Sequence, residues 1–72
     1  MQNDVYVIIG TRIRYFRNIN QLTQIEMANL MDVSQSTICN IENGIYPVPL
    51  HVLIQVSALL QIPLKDLLSE VI

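Results

Sequence analysis

The sequence predicts an all-α domain of five short helices. Its few glycines and prolines act as punctuation: Gly10, Gly44, Pro47, Pro49 and Pro63 divide 72 residues into helix-sized pieces. Within the pieces, apolar residues recur three and four apart rather than alternating. Two N-terminal capping signals, at Thr23 and Ser34, stand close enough together to start two successive short helices. The length fits one domain spanning residues 1–72. A chain this small buries little surface, yet 51% of it is hydrophobic and its mean hydropathy is +0.41. That is more apolar material than one small core hides, which points to packing against another chain. A very apolar core is the simpler alternative.

The first piece runs from about Val5 to Asn18, with Ile9, Ile13 and Phe16 on one face and Arg12, Arg14 and Arg17 between them. The β-branched run Val5 to Ile9 could instead be extended, and Gly10 weakens the first turn. Asn18 and Asn20 suit a turn. The second helix starts after Thr23, whose capping box is completed by Glu26, and buries Met27, Ala28 and Met31. It stops near Asp32, a residue that tolerates the left-handed backbone. Ser34 caps the third, with Gln35, Ser36 and Thr37 as a polar first turn, Ile38 and Ile41 inward, and Gly44 as the stop. The fourth opens at Pro49 and reaches about Gln61, with Leu50, Leu53, Val56, Ser57 and Leu60 at core spacing. Pro63 breaks it, and a last helix, about Leu64 to Glu70, adds Leu64, Leu67 and Leu68.

Several function classes are excluded. One cysteine, Cys39, allows no intrachain disulfide and no cysteine-cluster metal site, and one histidine, His51, allows no histidine pair. No metal and no cofactor is expected. The carboxylates Glu26, Glu42, Asp32 and Asp66 each have a structural use as a cap, an ion pair or a turn, and there is no phosphate-binding glycine loop, so the chain does not read as an enzyme. The longest apolar run is too short for a bilayer, and a reducing cytoplasm, bacterial or phage and at the nucleoid, is the expected location. The net charge of -2 and pI near 5.0 argue against a nucleic-acid ligand, although three of the four cations cluster at Arg12, Arg14 and Arg17.

Two short helices joined through Met31-Asp32-Val33-Ser34 form a helix-turn-helix arrangement, whose second helix can enter a DNA major groove. The stretch Leu22-Thr23-Gln24-Ile25-Glu26-Met27-Ala28 resembles the opening of phage-repressor and Cro-type (Xre-like) helix-turn-helix domains. Val33-Ser34-Gln35-Ser36-Thr37-Ile38 is similar to their turn and recognition helix, and Ile41-Glu42-Asn43-Gly44 to their terminator. Ile9-Gly10-Thr11-Arg12-Ile13-Arg14 resembles their first helix. The likeness spans residues 9–68 and implies a compact lambda-repressor-like five-helix domain.

Residue roles follow from the resemblance and from side-chain chemistry together. Gln35, Ser36 and Asn40 form the outward face of the helix 34–43 and are the expected base readers, since a glutamine or asparagine amide can pair with both N6 and N7 of adenine. Gln24, Ser34, Thr37, Asn43 and Tyr46 are the expected phosphate contacts, with Thr37 and Asn43 open to local capping roles as well. The resemblance implies an ion pair between Arg17 and Glu42 beneath the recognition helix, and a dimer interface at Leu64, Leu68, Val71 and Ile72, the tail 69–72 included. It also places Ile25 and Leu30 outward, while Val52 and Leu59 look poorly placed for the core. Two departures stand out: the loop Ile45-Tyr46-Pro47-Val48 lacks the cations such domains carry there, and Asp32 stands where they often have glycine.

The implied function is a sequence-specific transcriptional regulator, a homodimer reading a palindromic operator in double-stranded DNA, its two recognition helices about 34 Å apart. The alternative is a protein-interaction module, or an antitoxin, on the same fold, which leaves room for a further protein partner and none for a membrane.

Overall fold

The computed structural model describes residues 4–45 and 47–68. Every element among them is a helix: α1 (Asp4–Ile19), α2 (Gln24–Met31), α3 (Gln35–Glu42), α4 (Leu50–Leu60) and α5 (Leu64–Leu68). The all-α, five-helix reading is what the chain adopts. The expected Tyr46 contact and the tail residues Val71 and Ile72 lie outside the described residues.

Helix boundaries follow local chemistry. At the start of α2 the Thr23 hydroxyl accepts from the Glu26 backbone N–H at 3.0 Å, while the Glu26 carboxylate accepts from the Thr23 N–H at 2.8 Å. Two of the helix's unpaired N–H groups are thereby satisfied. Ser34 caps α3 in the same sense, its hydroxyl accepting from the Thr37 N–H at 3.1 Å. The C-termini of α1 to α4 share one device: a left-handed residue, Gln21, Asp32, Gly44 or Gln61, follows each helix. The N–H of the next residue (Leu22, Val33, Ile45 or Ile62) then bonds back to Arg17, Ala28, Asn40 or Ser57. This six-to-one closure satisfies end carbonyls and turns an apolar residue back over the helix.

The apolar run from Val5 to Ile9 is helical, which corrects the extended alternative, and Gly10 lies inside α1 rather than weakening it. The reason is tertiary. A Cβ on Gly10 would sit 2.4 Å from the Ile41 carbonyl oxygen and 2.6 Å from that of Glu42. Gly44, with φ +69°, has Val7 Cα at 2.7 Å from the position of its own missing Cβ. Both glycines therefore serve one crossing, the N-terminal half of α1 against the C-terminal end of α3, where only hydrogen fits.

The core gathers Ile9 and Ile13 of α1, Met27, Ala28 and Met31 of α2, Ile38 and Ile41 of α3, Leu53, Val56 and Leu60 of α4, Leu67 of α5, and Val48. On α4 the buried face is centred on Leu53, Val56 and Leu60. That rotation carries Leu50 out to 62% exposure, against its expected place in the core. It also brings Val52 and Leu59 onto the core's flank, against the expectation that they fit poorly. Ser57 is half-buried, its hydroxyl donating to the Ile54 carbonyl. Leu64 and Leu68 pack partly buried against the same core, while Ile25 and Leu30 are exposed on α2.

One polar cluster crosses this core. The Glu42 side chain is wholly buried and meets the Arg17 guanidinium twice, Nε to Oε2 at 2.5 Å and Nη2 to Oε1 at 3.1 Å. Arg17 Nη1 also donates to the Leu22 carbonyl at 2.7 Å, so a single side chain on α1 holds both the entry to α2 and the end of α3. Burial works to raise the Glu42 pKa, but hydrogen bonds from Arg17 and Gln24, the Arg17 charge and a bond from Arg14 outweigh it and hold the carboxyl below its ordinary value of 4.5.

Two outcomes are expected. Gly10→Ala should lower stability by about 1–3 kcal/mol, read from the denaturant midpoint, because the methyl group meets backbone oxygens that cannot yield without separating α1 from α3. Glu42→Gln strands the buried Arg17 charge and should lose about 3–5 kcal/mol at pH 7. The sign of the pH effect follows from a folded-state pKa below the unfolded one. The wild-type contribution is complete above pH 4.5 and disappears as pH falls through the lowered folded value. Denaturant midpoints measured downward from pH 7 should fall for the wild type in that acid window and stay flatter there for Glu42→Gln.

Candidate nucleic-acid interface

The turn between α2 and α3 is short because Asp32 takes the left-handed backbone at φ 58° and ψ 44°, and Ser34 at once begins the next helix. Asp32 performs the reversal for which glycine is the usual residue, at modest strain. The first turn of α3 then projects from the surface: Gln35 and Ser36 are exposed, Thr37 and Asn40 half-buried, and Asn43 at the helix end exposed. Ile38 and Ile41 on the opposite side are buried and fix the helix's rotation.

The structure draws several of the sequence-predicted residues into one hydrogen-bonded chain. Gln35 Nε2 donates to Gln24 Oε1 at 3.4 Å, and Gln24 Nε2 donates to Glu42 Oε1 at 3.1 Å. Glu42 in turn holds Arg17 and, through its Oε1, Arg14 Nε at 3.3 Å. Arg14 Nη2 donates to Asn43 Oδ1 at 2.8 Å, and Asn43 Nδ2 to Cys39 Sγ at 3.5 Å. A buried carboxylate accepts only, so Gln24 must turn its NH2 towards Glu42 and its oxygen towards Gln35. Gln35 meets that oxygen with its NH2 across a long, exposed contact, which favours one orientation of the amide expected to read bases.

Other residues are less connected. Ser36 and Asn40 stand on the α3 surface outside this chain. The Ser34 hydroxyl is occupied in capping and lies 3.0 Å from Thr37 Oγ1, so both hydroxyls serve the helix start. Gln24, expected at a phosphate, is half-buried with both ends of its amide engaged. Its first structural duty is to join Glu42 to Gln35. Arg14 is the member of the group to which sequence reasoning assigned no role. Its signal was its place three residues before Arg17 on α1, which puts both guanidiniums on one side of the helix.

Among the described residues no three histidine, cysteine, aspartate or glutamate side chains converge as metal ligands, and no described helix is long and apolar enough to cross a membrane. The arrangement offers a protruding polar helix, carboxamides of defined orientation, and one guanidinium held at its far end. Those groups can donate to and accept from base edges and donate to phosphate oxygens.

No curated protein sequence matches the chain. Among solved structures, the restriction-modification controller protein C.AhdI from Aeromonas hydrophila superposes with a TM-score of 0.83 at 26% identity, over 90% of this chain and 98% of that one. The family model described as Helix-turn-helix matches residues 13–67, from the middle of α1 into α5. With that match over most of its length, the chain belongs to the Xre-like helix-turn-helix family of DNA-binding regulators.

Proposed function

We propose that this protein is a sequence-specific transcriptional regulator that binds a palindromic operator as a homodimer and reads it through α3. The observation that carries the reading is the outward first turn of α3, where Gln35 is presented with its amide oriented by the buried Glu42 through Gln24. Gln35, Ser36 and Asn40 contact base edges in the major groove. Gln24, Ser34, Thr37, Asn43 and Tyr46 lie along the phosphates, some of them through backbone N–H groups at the starts of α2 and α3. The likeness to a restriction-modification controller protein supports a regulator of the same kind.

The homodimer is supported by the amount of apolar surface the single chain leaves uncovered: Tyr15, Ile19, Ile25, Leu30, Ile45, Leu50 and Ile54 are each more than half exposed. Leu64 and Leu68 of α5 are the proposed interface, together with Val71 and Ile72, which lie outside the described residues. The same exposed surface is what favours the second reading, a protein-interaction module or an antitoxin.

The deciding experiment is selection of bound sequences from a random duplex pool at moderate salt with the purified full chain, alongside sedimentation equilibrium. Enrichment of a palindrome with half-sites about one helical turn apart, bound by a species of twice the 8.2 kDa chain mass, is expected. A variant carrying Gln35→Ala and Asn40→Ala should keep its thermal transition and its dimer mass while losing selective binding by about 2–6 kcal/mol per half-site. A folded dimer that enriches no sequence overturns the reading in favour of the protein-interaction module.

A further inference from the structure

The phosphate contacts proposed above are neutral amides and hydroxyls, and the loop after α3 carries no cation between Ile45 and Val48. A duplex still demands positive charge where its backbone passes the protein. We infer that Arg14 supplies it. Held in place by Asn43, its guanidinium forms a preformed seat for a backbone phosphate at the C-terminal end of the recognition helix. This inference rests on the DNA-binding reading and names a contact on α1 that the sequence pattern did not assign.

The charge balance of the buried cluster comes first. Glu42 is already met by the two-pronged fork of Arg17, which is nine-tenths buried at its side chain, and by the amide of Gln24. One carboxylate and one guanidinium cancel. Arg14 is a second guanidinium on the same carboxylate, at the longer distance of 3.3 Å, and its side chain is 46% exposed. The cluster therefore carries one surplus positive charge, and the exposed member holds it. Were Arg14 only a partner for Glu42, nothing would require it, since Arg17 meets that need from within the core.

Geometry comes second. Arg14 is anchored by two of its N–H groups, Nε on Glu42 and Nη2 on Asn43 Oδ1 at 2.8 Å. A guanidinium has five N–H donors in a rigid plane, so holding one edge aims the other. The side chain is 46% exposed, and Nη1 takes no part in either anchoring bond. Asn43 gives its oxygen to Arg14 and its NH2 to Cys39 Sγ, so its part is to hold the guanidinium at the end of α3, where Arg14 presents the donors that a phosphate meets. A planar fork held in place loses little freedom on meeting a phosphate, which is the circumstance in which arginine binds that group well.

The test uses the duplex recovered from the random pool, a scrambled duplex of the same length, and copies of the first with single phosphates replaced by uncharged methylphosphonate. Arg14→Gln should bind both duplexes more weakly by a similar factor, about tenfold per copy of the chain at low salt, without changing which sequence is preferred. The slope of log affinity against log salt should fall by about 0.9 per copy. Arg14→Lys should restore much of the slope, because it restores the charge. One methylphosphonate position per half-site should weaken the wild type and leave Arg14→Gln indifferent, a result that a merely structural arginine would not give. Thermal melts of all three proteins report separately on any loss of fold. If the wild type selects its operator but Arg14→Gln keeps its affinity and salt slope, the phosphate seat is wrong and the regulator reading stands. If the wild type binds neither duplex, both are wrong.

Discussion

The buried carboxylate of Glu42 is the constraint on which the rest of this molecule depends. It is the last residue of the recognition helix, and its side chain lies under that helix in contact with Arg17 and Arg14 of α1 and Gln24 of α2. A charge placed there must be matched, because burying it alone would cost several kcal/mol. Matching it requires that three helices meet in one geometry. The two glycines then let α1 approach the end of α3 closely enough for the arginines to reach. Apolar packing alone would tolerate some rotation of α3 about its axis. The guanidinium fork and the amide of Gln24 do not, and the angle at which Gln35 and Ser36 leave the surface follows from them.

How much of this was legible in the sequence depends on how local each cause is. The starts of α2 and α3 are written in Thr23, Glu26 and Ser34, because a cap is made between residues three apart. Asp32 was legible as a turn for the same reason. Gln21 and Gln61 were not: glutamine has no particular liking for the left-handed region, and both adopt it because Leu22 and Ile62 are drawn back over the preceding helix. Gly10 reads as a weak point when α1 is considered alone and as a necessity once Ile41 and Glu42 are beside it. The faces of α4 were ambiguous because Leu50, Val52, Leu59 and Leu60 are all apolar. Only the packing of α5 and α1 decides which of them turn inward.

The candidate interface divides along the same line. Gln35, Ser36 and Asn40 stand out from the pattern of Ile38 and Ile41, since a helix whose buried residues are known has its outward ones determined. The relation of Gln24 to Gln35 and Glu42 was not legible, because the residues are eleven and eighteen positions apart and the hydrogen bonds between them exist only once α2 has folded against α3. Arg14 is the sharpest case. In the sequence it is one of three arginines between apolar residues. Its distinction from Arg17 lies in its tertiary partners and its exposure, one side chain at 46% and the other at 10%.

An acidic chain that binds DNA is less of a contradiction than its formal charge of -2 makes it. Net charge sums over the whole surface, while a contact feels what lies within about 10 Å at ordinary salt. The carboxylate within the recognition helix is Glu42, which is doubly countered, Glu26 is folded back onto its own helix start, and Asp32 stands exposed in the turn between the two helices. The acid charges around α2 and α3 are thus partly consumed by the structure that presents α3, and the arginine left in excess stands at its end. Such a protein draws little of its affinity from counterion release, and correspondingly more from contacts that depend on sequence. Weak attraction to arbitrary duplex is then an asset: a regulator with few cations loses little of itself to the bulk of the genome, and its discrimination rests on contacts that depend on sequence. The buried charge of Glu42 bears on the residue proposed to make such a contact, because it orients the amide of Gln24 and, through it, that of Gln35.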